Sequence, residues 1–344
     1  MANGNMVGCH EYYTSMGKTE VASRYSGEGG TETNPYAVED IFDLDRVDGI
    51  TTTAFVYYQL VNDIDYNNHP TKKYGISRGY IWGQTGTYGK KYNFYGDDPI
   101  TGKNHEIRNI IILSSSVTCN NSYVEEYGTI KNINFVNMIF KDVGFSTNLF
   151  WSSIMIGCNF SLMFINSSPG KFFRGDKYTD CSFNIYGSNN SSSSIPDYTF
   201  NLGTGESNAK IRCHFNFNDF IYNCVESPVY LFYAQGNGYN ATVHDCYFTG
   251  SIKLKGHSSD ANVRMITNIE LYNSYFAISL SSISGTLGYC LFESPVSTSF
   301  IDKDVLGLTI SDSSSTLAKL TTTQAQSYDY LNGIGFPVIP ASEE

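Results

Sequence analysis

A short motif, Cys-x-Phe, recurs through the second half of the chain and constrains the fold more than any other feature. Five pairs carry it: Cys158/Phe160, Cys181/Phe183, Cys213/Phe215, Cys246/Phe248 and Cys290/Phe292. Ser274/Phe276 repeats the pattern with serine, and Met138/Phe140 is expected to begin the series. Strand alternation places the first and third residues on one face and the residue between them on the other. The recurrence therefore predicts strands stacked in successive coils, with equivalent residues about 4.8 Å apart.

The length and composition favour the same architecture. The chain has 344 residues, more than one compact core usually supports, whereas a solenoid buries each coil against its neighbours. Gly, Ser, Asn and Tyr are abundant, which favours short strands and frequent turns. We expect an all-β chain, a right-handed parallel β-helix with a short N-terminal helical cap.

The chain divides into three predicted parts. Residues 1–34 read as an irregular leader or attachment segment, residues 35–317 as the β-helix domain, and residues 318–344 as a C-terminal closing segment. Apolar residues in segment 38–47 (VEDIFDLDRV) have nearly helical spacing, with acidic residues early, as a helix dipole favours. This segment is the predicted cap.

The ladder cysteines are predicted to be structural. Free cysteine behaves as a small buried hydrophobe, and the Ser and Met at equivalent places cannot form disulfides. No Cys-x-x-Cys occurs, so the sequence offers no zinc motif. A disulfide or a metal site is the alternative. The predicted core ladder comprises Cys158, Cys181, Cys213, Cys246 and Cys290.

The charge balance limits the partners. Thirty-three acidic residues against 22 basic ones give a formal charge of -11, which repels nucleic acid. No apolar run approaches the roughly 18 residues of a membrane span, and no apolar signal segment is visible near Met1. We expect a protein made in a host cytoplasm, with no nucleic-acid partner and no membrane insertion.

The front of the chain carries a family resemblance. Segment 27–36 (GEGGTETNPY) leads into the predicted cap, and the strand-like segment 58–65 (YQLVNDID) follows, with GKNHEI and RNI later. This order resembles the start of the GLUG-type β-helix repeats of bacterial adhesin-like and phage proteins. The likeness covers residues 27–113 and 318–338, and the middle matches only in repeat style. Asp97-Asp98-Pro99 departs from the Gly-rich turn of that family. The resemblance implies a β-helix with a surface or virion role, and no catalytic set.

One predicted outward row has two interpretations. The residues before the ladder positions are Gly157, Asp180, Arg212, Asp245 and Asn273. Opposite charges in such a row favour ion pairs between coils. A glycan groove, or the paired carboxylates of a β-helix glycosidase, is the alternative.

Outward aromatic residues extend the same predicted surface. Tyr247 and Tyr275 lie between core positions and are able to stack on sugar rings. The predicted glycan-contacting set is Tyr247, Tyr275, Asp180, Arg212 and Asp245. We predict no catalytic residue, no metal site and no cofactor.

Two other motifs lack the context that chemistry requires. The segment 75–79 (GISRG) fits a nucleophile-elbow pattern but has no buried strand before it and no helix after it. Asp63 and Asp65 are read as strand-end residues, with a calcium or sugar contact as the alternative.

These observations favour a structural or receptor-recognition protein of a bacteriophage virion, such as a tail or head fibre, spike or appendage. Its expected partners are itself, as a homotrimer, other virion proteins, and host surface polysaccharide. One alternative is a glycan-depolymerising tailspike enzyme, a glycosidase or lyase. A bacterial surface adhesin is the second alternative.

Overall fold

Short strands dominate the fold. The computed structural model of the chain describes residues 6–47, 54–83, 92–114, 117–120, 128–143, 150–151, 153–167, 177–189, 200–203, 209–223, 229–234, 241–255, 261–267, 269–283, 287–292, 296–297, 299–306, 309–312, 318–325 and 327–333. The α-helices within these ranges are Cys9–Ser15, Thr19–Ala22, Ile41–Leu44, Lys303–Leu306, Thr322–Ala325 and Tyr328–Gly333. Two 3-10 turns, Tyr66–Asn68 and Lys72–Tyr74, complete the helical elements there. None of these helices is long and apolar enough to cross a membrane.

Two long parallel sheets run through the described part of the chain. Sheet A has ten strands, in the spatial order Tyr36–Val38, Val56–Leu60, Tyr92–Tyr95, Gly128–Lys131, Ser153–Ile156, Lys177–Thr179, Ala209–Ile211, Thr242–His244, Glu270–Tyr272 and Val296–Ser297. Sheet B has eleven. Ten follow the order Ile64–Asp65, Glu106–Arg108, Asn134–Lys141, Asn159–Ile165, Ser182–Ser188, His214–Asn223, Tyr247–Lys255, Tyr275–Ser282, Phe300–Asp302 and Ala318–Leu320, and Ile111–Ile112 also pairs with Asn134–Lys141.

Two smaller sheets contain most of the remaining described strands. Sheet C contains Gly79–Tyr80, Val117–Asn120 and Phe150–Trp151. Sheet D contains Phe200–Gly203, Val229–Ala234, Ala261–Thr267, Leu287–Phe292 and Thr309–Asp312.

The chain visits the sheets in a repeating order. In most circuits of the described residues it passes from sheet A to sheet B, then to sheet C or D, and returns to sheet A beside its previous strand. We call one such circuit a coil. Parallel neighbours need a long crossover, and here the strands of the other sheets supply it. The predicted all-β class with parallel pairing is confirmed.

Stacked phenylalanines form the centre of the core. Six rings from consecutive strands of sheet B have centroids 4.4–4.9 Å apart and interplanar angles of 2–15°. They belong to Phe135, Phe160, Phe183, Phe215, Phe248 and Phe276, which are all buried. In-register parallel pairing brings these identical residues together, for example Phe183 with Phe215. The stack is therefore a direct consequence of the sequence repeat.

The cysteines beside this stack act as hydrogen-bonding groups. Cys158, Cys181, Cys213 and Cys246 are buried with free thiols. The Cys246 Sγ accepts the backbone N–H of Cys213 at 3.4 Å and donates to the Lys210 carbonyl at 3.2 Å. Serine does the same in the next coil, where Ser274 Oγ accepts the Cys246 N–H at 3.2 Å. Each ladder side chain thus links the backbones of adjacent coils, which explains why both Cys and Ser occur.

The ladder prediction was wrong at both ends. Cys290 lies in sheet D, where its backbone pairs with Val263 and Ile310, and Ser299 follows Ser274 in the ladder. The Cys-x-Phe pattern describes any inward-facing alternation, so it does not specify which sheet a strand joins.

At the other end, Phe135 rather than Phe140 pairs with Phe160. Met138 pairs instead with Leu162, because a register shift at Asn137, which has φ 57°, inserts an extra residue.

The N-terminal segment is more ordered than predicted. Its two helices, Cys9–Ser15 and Thr19–Ala22, build a small second core with Ala37 and Val61. Residues before the first helix pair with the first strand of sheet A: Ala37 N–H donates to Val7 O at 2.9 Å. The leader thereby covers an edge that would otherwise expose unpaired backbone groups.

The predicted cap at 38–47 shrinks to a single turn, Ile41–Leu44. Val38 belongs to the first strand, and the Asp40 side chain accepts the N–H groups of Phe42 and Asp43 at 2.8 and 2.9 Å, which starts the helix after it. Ile41 and Leu44 are buried in the main hydrophobic core, so this helix packs as part of the parallel-sheet domain.

Candidate functional site

A row of left-handed residues marks the corner between sheets A and B. We call it the corner row; its φ angles are Asn132 58°, Gly157 62°, Asp180 54°, Arg212 50°, Asp245 55° and Asn273 43°. This conformation turns the chain between the sheets and is easiest for Gly, Asn and Asp. Arg212 is the exception, since a long side chain there is strained by roughly 1–3 kcal/mol.

An ion pair compensates part of that strain. Arg212 Nε and Nη2 donate to Asp180 Oδ1 and Oδ2 at 2.6 and 2.7 Å. Asp180, and more weakly Asp245, raises the pKa of Arg212. Both partners are about half exposed (48% and 47%), so the pair contributes about 0–1 kcal/mol. This arrangement fits the ion-pair interpretation of the row.

Asp245 is held differently. Its Oδ2 contacts His244 Nδ1 at 2.6 Å, while its Oδ1 is buried with no hydrogen-bond partner among the described residues. The His244 ring lies 5.9 Å from the Tyr272 ring. The next outward residue is Tyr247, whose pKa is raised by burial and then by the Asp245 charge. Tyr247 therefore keeps its phenolic proton at neutral pH.

The outer surface of sheet B beside this corner carries no formal charge. We call it the sheet-B face: the first three outward positions of the strands Ser182–Ser188, His214–Asn223, Tyr247–Lys255 and Tyr275–Ser282. Its residues are Ser182, Asn184, Tyr186, His214, Asn216, Asn218, Tyr247, Thr249, Ser251, Tyr275, Ala277 and Ser279. Burial lowers the pKa of His214, so that its ring is neutral at pH 7.

Charged pairs border this face on both sides. The corner row with Asp180 and Arg212 lies on one side. On the other side, Lys253 Nζ and Asp219 Oδ1 are 3.2 Å apart. A neutral surface on a chain of charge -11 is therefore a localised feature.

Two tyrosines give the face its aromatic part. Tyr247 and Tyr275 are register partners in adjacent coils, with ring centroids 6.2 Å apart and an interplanar angle of 69°. Both side chains are partly exposed. They supply apolar ring surface and hydroxyl groups side by side.

Hydrogen bonds between coils hold the polar side chains. Asn159 Nδ2 donates to Asn134 Oδ1 at 2.8 Å, and Ser182 Oγ donates to Asn159 Oδ1 at 2.5 Å, in the column that continues to His214. These bonds fix side chains that would otherwise lose rotamer freedom on binding a ligand.

The five residues predicted from sequence do come together. Asp180, Arg212 and Asp245 lie on the corner row, and Tyr247 and Tyr275 follow it on the sheet-B face. Sequence reasoning missed the functional potential of five neighbours, although the same alternation placed two of them outward or near the surface. They are Asn184, His214, Asn216, His244 and Thr249.

The other candidate motifs have structural roles. Asp63 Oδ1 accepts the Glu106 N–H at 3.0 Å, and Asp65 Oδ1 accepts the Asn67 N–H at 2.9 Å. Segment 75–79 follows a 3-10 turn and leads into the strand Gly79–Tyr80, so it is not a nucleophile elbow.

No group of three or more His, Cys, Asp or Glu side chains that could hold a metal ion occurs within the described ranges. Comparisons with protein-family models, curated proteins and solved structures find no match to this chain.

Proposed function

We propose that this chain is a right-handed parallel β-helix that serves a bacteriophage particle as a structural and receptor-recognition protein. In this proposal the sheet-B face binds an uncharged glycan of the host surface. The observation that carries it is the combination of Tyr247 and Tyr275 with a charge-free set of hydroxyl, amide and imidazole groups.

The chemistry of the face matches that of a neutral sugar. Pyranose rings present apolar C–H faces and hydroxyls that both donate and accept hydrogen bonds. Tyrosine rings cover the first, while Asn, Ser and Thr side chains satisfy the second. Because the face holds no formal charge, a neutral ligand would bind there without burying an unpaired ion.

The buried residues beneath the sheet-B face are expected to hold it rigid, which favours binding of a ligand that fits the existing surface. The strands that begin at Ser182, His214, Tyr247 and Tyr275 also carry the buried phenylalanine stack, and each begins directly after a ladder residue. A rigid, preorganised surface loses little entropy when a ligand binds.

The particle assignment is supported by the resemblance to GLUG-type repeats of phage and adhesin-like proteins. Homotrimer formation and contacts with other virion proteins are part of the same proposal. Immunogold labelling of purified particles with antibodies to this chain tests the location, and light scattering tests the trimer. Particles without label would contradict a virion role.

We propose recognition without catalysis. Both carboxylate oxygens of Asp180 are bound by Arg212. Asp245 lies two coils away, and Arg212 occupies the corner position between them. A glycosidase needs two carboxylates within about 5–9.5 Å and space for the sugar between them. New reducing ends or unsaturated products, lost in Asp245→Asn, would support the depolymerase alternative instead.

The binding test uses the full chain with maltohexaose, cellohexaose and chitin hexaose in isothermal titration calorimetry. We expect at least one of these neutral oligosaccharides to bind, and Tyr247→Ala to weaken binding about tenfold, since one aromatic contact contributes about 1 kcal/mol or more. Tyr57→Ala is the matched control, because Tyr57 is a partly exposed tyrosine on sheet A. Equal losses in both variants, or no binding by any oligosaccharide, would contradict the proposal.

A further inference from the structure

A directed chain of hydrogen bonds crosses three coils of the sheet-B face. His214 Nε2 lies 2.7 Å from Thr249 Oγ1. Thr249 Oγ1 donates to Asn216 Oδ1 at 3.2 Å, and Asn216 Nδ2 donates to Asn184 Oδ1 at 3.1 Å. The four side chains come from three adjacent strands of sheet B.

The direction of this chain fixes the tautomer of His214. The single hydroxyl proton of Thr249 is used on Asn216, so the Thr249 oxygen must accept from His214. His214 Nε2 therefore carries the proton. In a neutral imidazole the other nitrogen, Nδ1, is then a bare acceptor.

That acceptor is available at the surface. The His214 side chain is exposed, and within the described part of the chain Nδ1 has no hydrogen-bond partner. His214 stands in the same outward column as Tyr247, its register partner in the next coil. A ligand lying on Tyr247 would therefore also lie beside His214.

The surroundings keep the ring neutral. Partial burial is the only cause of the lowered pKa of His214. The charged groups of the neighbouring corner row are already paired: Arg212 is bound to Asp180, and Asp245 is bound to His244. The adjacent strands face His214 with Ser182, Tyr247 and Thr249, none of which is charged at neutral pH.

We infer that His214 determines the specificity of this face by accepting a hydrogen bond at Nδ1 from a hydroxyl of the bound glycan. The inference rests on the proposed function and names the group of the ligand that is recognised. Thr249 is a positioning residue, since it acts by holding the tautomer. The ligand class is an uncharged polyol with a free hydroxyl beside the ring face that covers Tyr247.

Protonation of His214 would remove the acceptor. The ordinary pKa of histidine is near 6.5, and that of His214 is lower. Affinity should therefore be constant above pH 7, and it should fall only at a pH below the ordinary histidine value of about 6.5, where His214 takes up a proton. The same protonation would add a positive charge to the face, which further disfavours a neutral ligand.

Nitrogen-15 NMR of histidine-labelled protein tests the tautomer without any ligand. The His214 resonance is assigned by its loss in His214→Asn. We expect the Nε2–H form in the free protein, a mixture of tautomers in Thr249→Val, and the original form in Thr249→Ser. A predominant Nδ1–H form in the unmodified protein would overturn the inference.

Calorimetry with the three neutral hexasaccharides tests the contact itself. We expect His214→Ala to bind about tenfold more weakly, and His214→Asn, whose amide oxygen lies close to the place of Nδ1, to bind well and lose the pH dependence. Thr249→Val should weaken binding and Thr249→Ser should restore it.

The two proposals fail in different ways. Binding that depends on Tyr247 but is unchanged in His214→Ala overturns the inference about His214 alone. Failure of all three oligosaccharides to bind overturns both.

Discussion

Replacing one ladder cysteine should show how much of its contribution to stability comes from its hydrogen bonds and how much from its volume. Cys246 is completely buried (0% exposed), and its sulfur joins two coils. It accepts the Cys213 N–H at 3.4 Å and donates to the carbonyls of Lys210 and His244 at 3.2 and 3.3 Å. Cys246→Ala leaves the Cys213 N–H without its partner, and an orphaned buried donor costs about 1–3 kcal/mol.

Serine at the same position should be nearly neutral. Ser274, one coil further, shows the required geometry: its Oγ accepts the Cys246 N–H at 3.2 Å and donates to the Tyr272 carbonyl at 2.8 Å. We expect Cys246→Ser to change the free energy of unfolding by less than about 1 kcal/mol, because both hydrogen bonds are preserved. Alanine and serine should therefore differ by about 1–2 kcal/mol at this site.

Cys158 is the matched control. Its sulfur donates to the carbonyls of Ile130 and Ile156 at 3.6 Å, and within the described ranges it accepts no backbone N–H bond. Cys158→Ala removes a similar volume without orphaning a donor. It should be less destabilising than Cys246→Ala.

Amide hydrogen exchange measures the effect at the atom concerned. The protection of the Cys213 amide should fall in Cys246→Ala and persist in Cys246→Ser, and urea unfolding followed by circular dichroism gives the global change. Equal destabilisation by alanine and serine, or an unchanged Cys213 amide in Cys246→Ala, would refute the hydrogen-bonding role of the ladder.

Three further predictions concern the stack, a glycine and acid sensitivity. Phe215→Ala in the middle of the ring stack should lower the free energy of unfolding by about 3–5 kcal/mol, measured by urea titration, and Phe215→Leu by less. Gly250→Ala should prevent soluble expression, because its Cβ would lie 2.0 Å from the Phe217 carbonyl oxygen at φ 92°, whereas Gly102→Ala, with open space around it, should fold. Burial raises the pKa of Asp98. The hydrogen bonds that its carboxylate accepts from Ile100 and Thr101 have the larger combined effect, so the pKa is lowered. The stability from Asp98 should therefore be present above pH 4 and disappear as the pH falls further, and Asp98→Asn should flatten that part of a thermal-shift profile.

Local alternation made the interior of the fold predictable. Phe183 and Phe215 share a face because of a two-residue period that is visible in any one strand, and their stacking follows from parallel pairing. The assignment of Cys290 failed because the same period describes a strand of sheet D equally well. Met138 failed because a single left-handed residue, Asn137, shifts the register.

In the candidate site, too, features within one strand were predictable and contacts between strands were not. Tyr247 and Tyr275 were predictable as outward aromatics from their own strands. The link from His214 to Thr249 joins residues 35 positions apart, and its existence depends on the register between coils. That register is a relation between strands far apart in the sequence, and the residue pattern of one strand does not reveal it.

The covered edge of sheet A has a consequence for the order of folding. The leader pairs with Tyr36–Val38, so growth of the sheet from that side is blocked and each new strand must add at the opposite side. Strands then join sheet A in the order in which they are synthesised. Each newly made coil can pair with a coil that has already folded. Since each strand of the parallel sheets pairs with the strands of the two neighbouring coils, a whole coil is the natural unit by which such a chain would be lengthened or shortened.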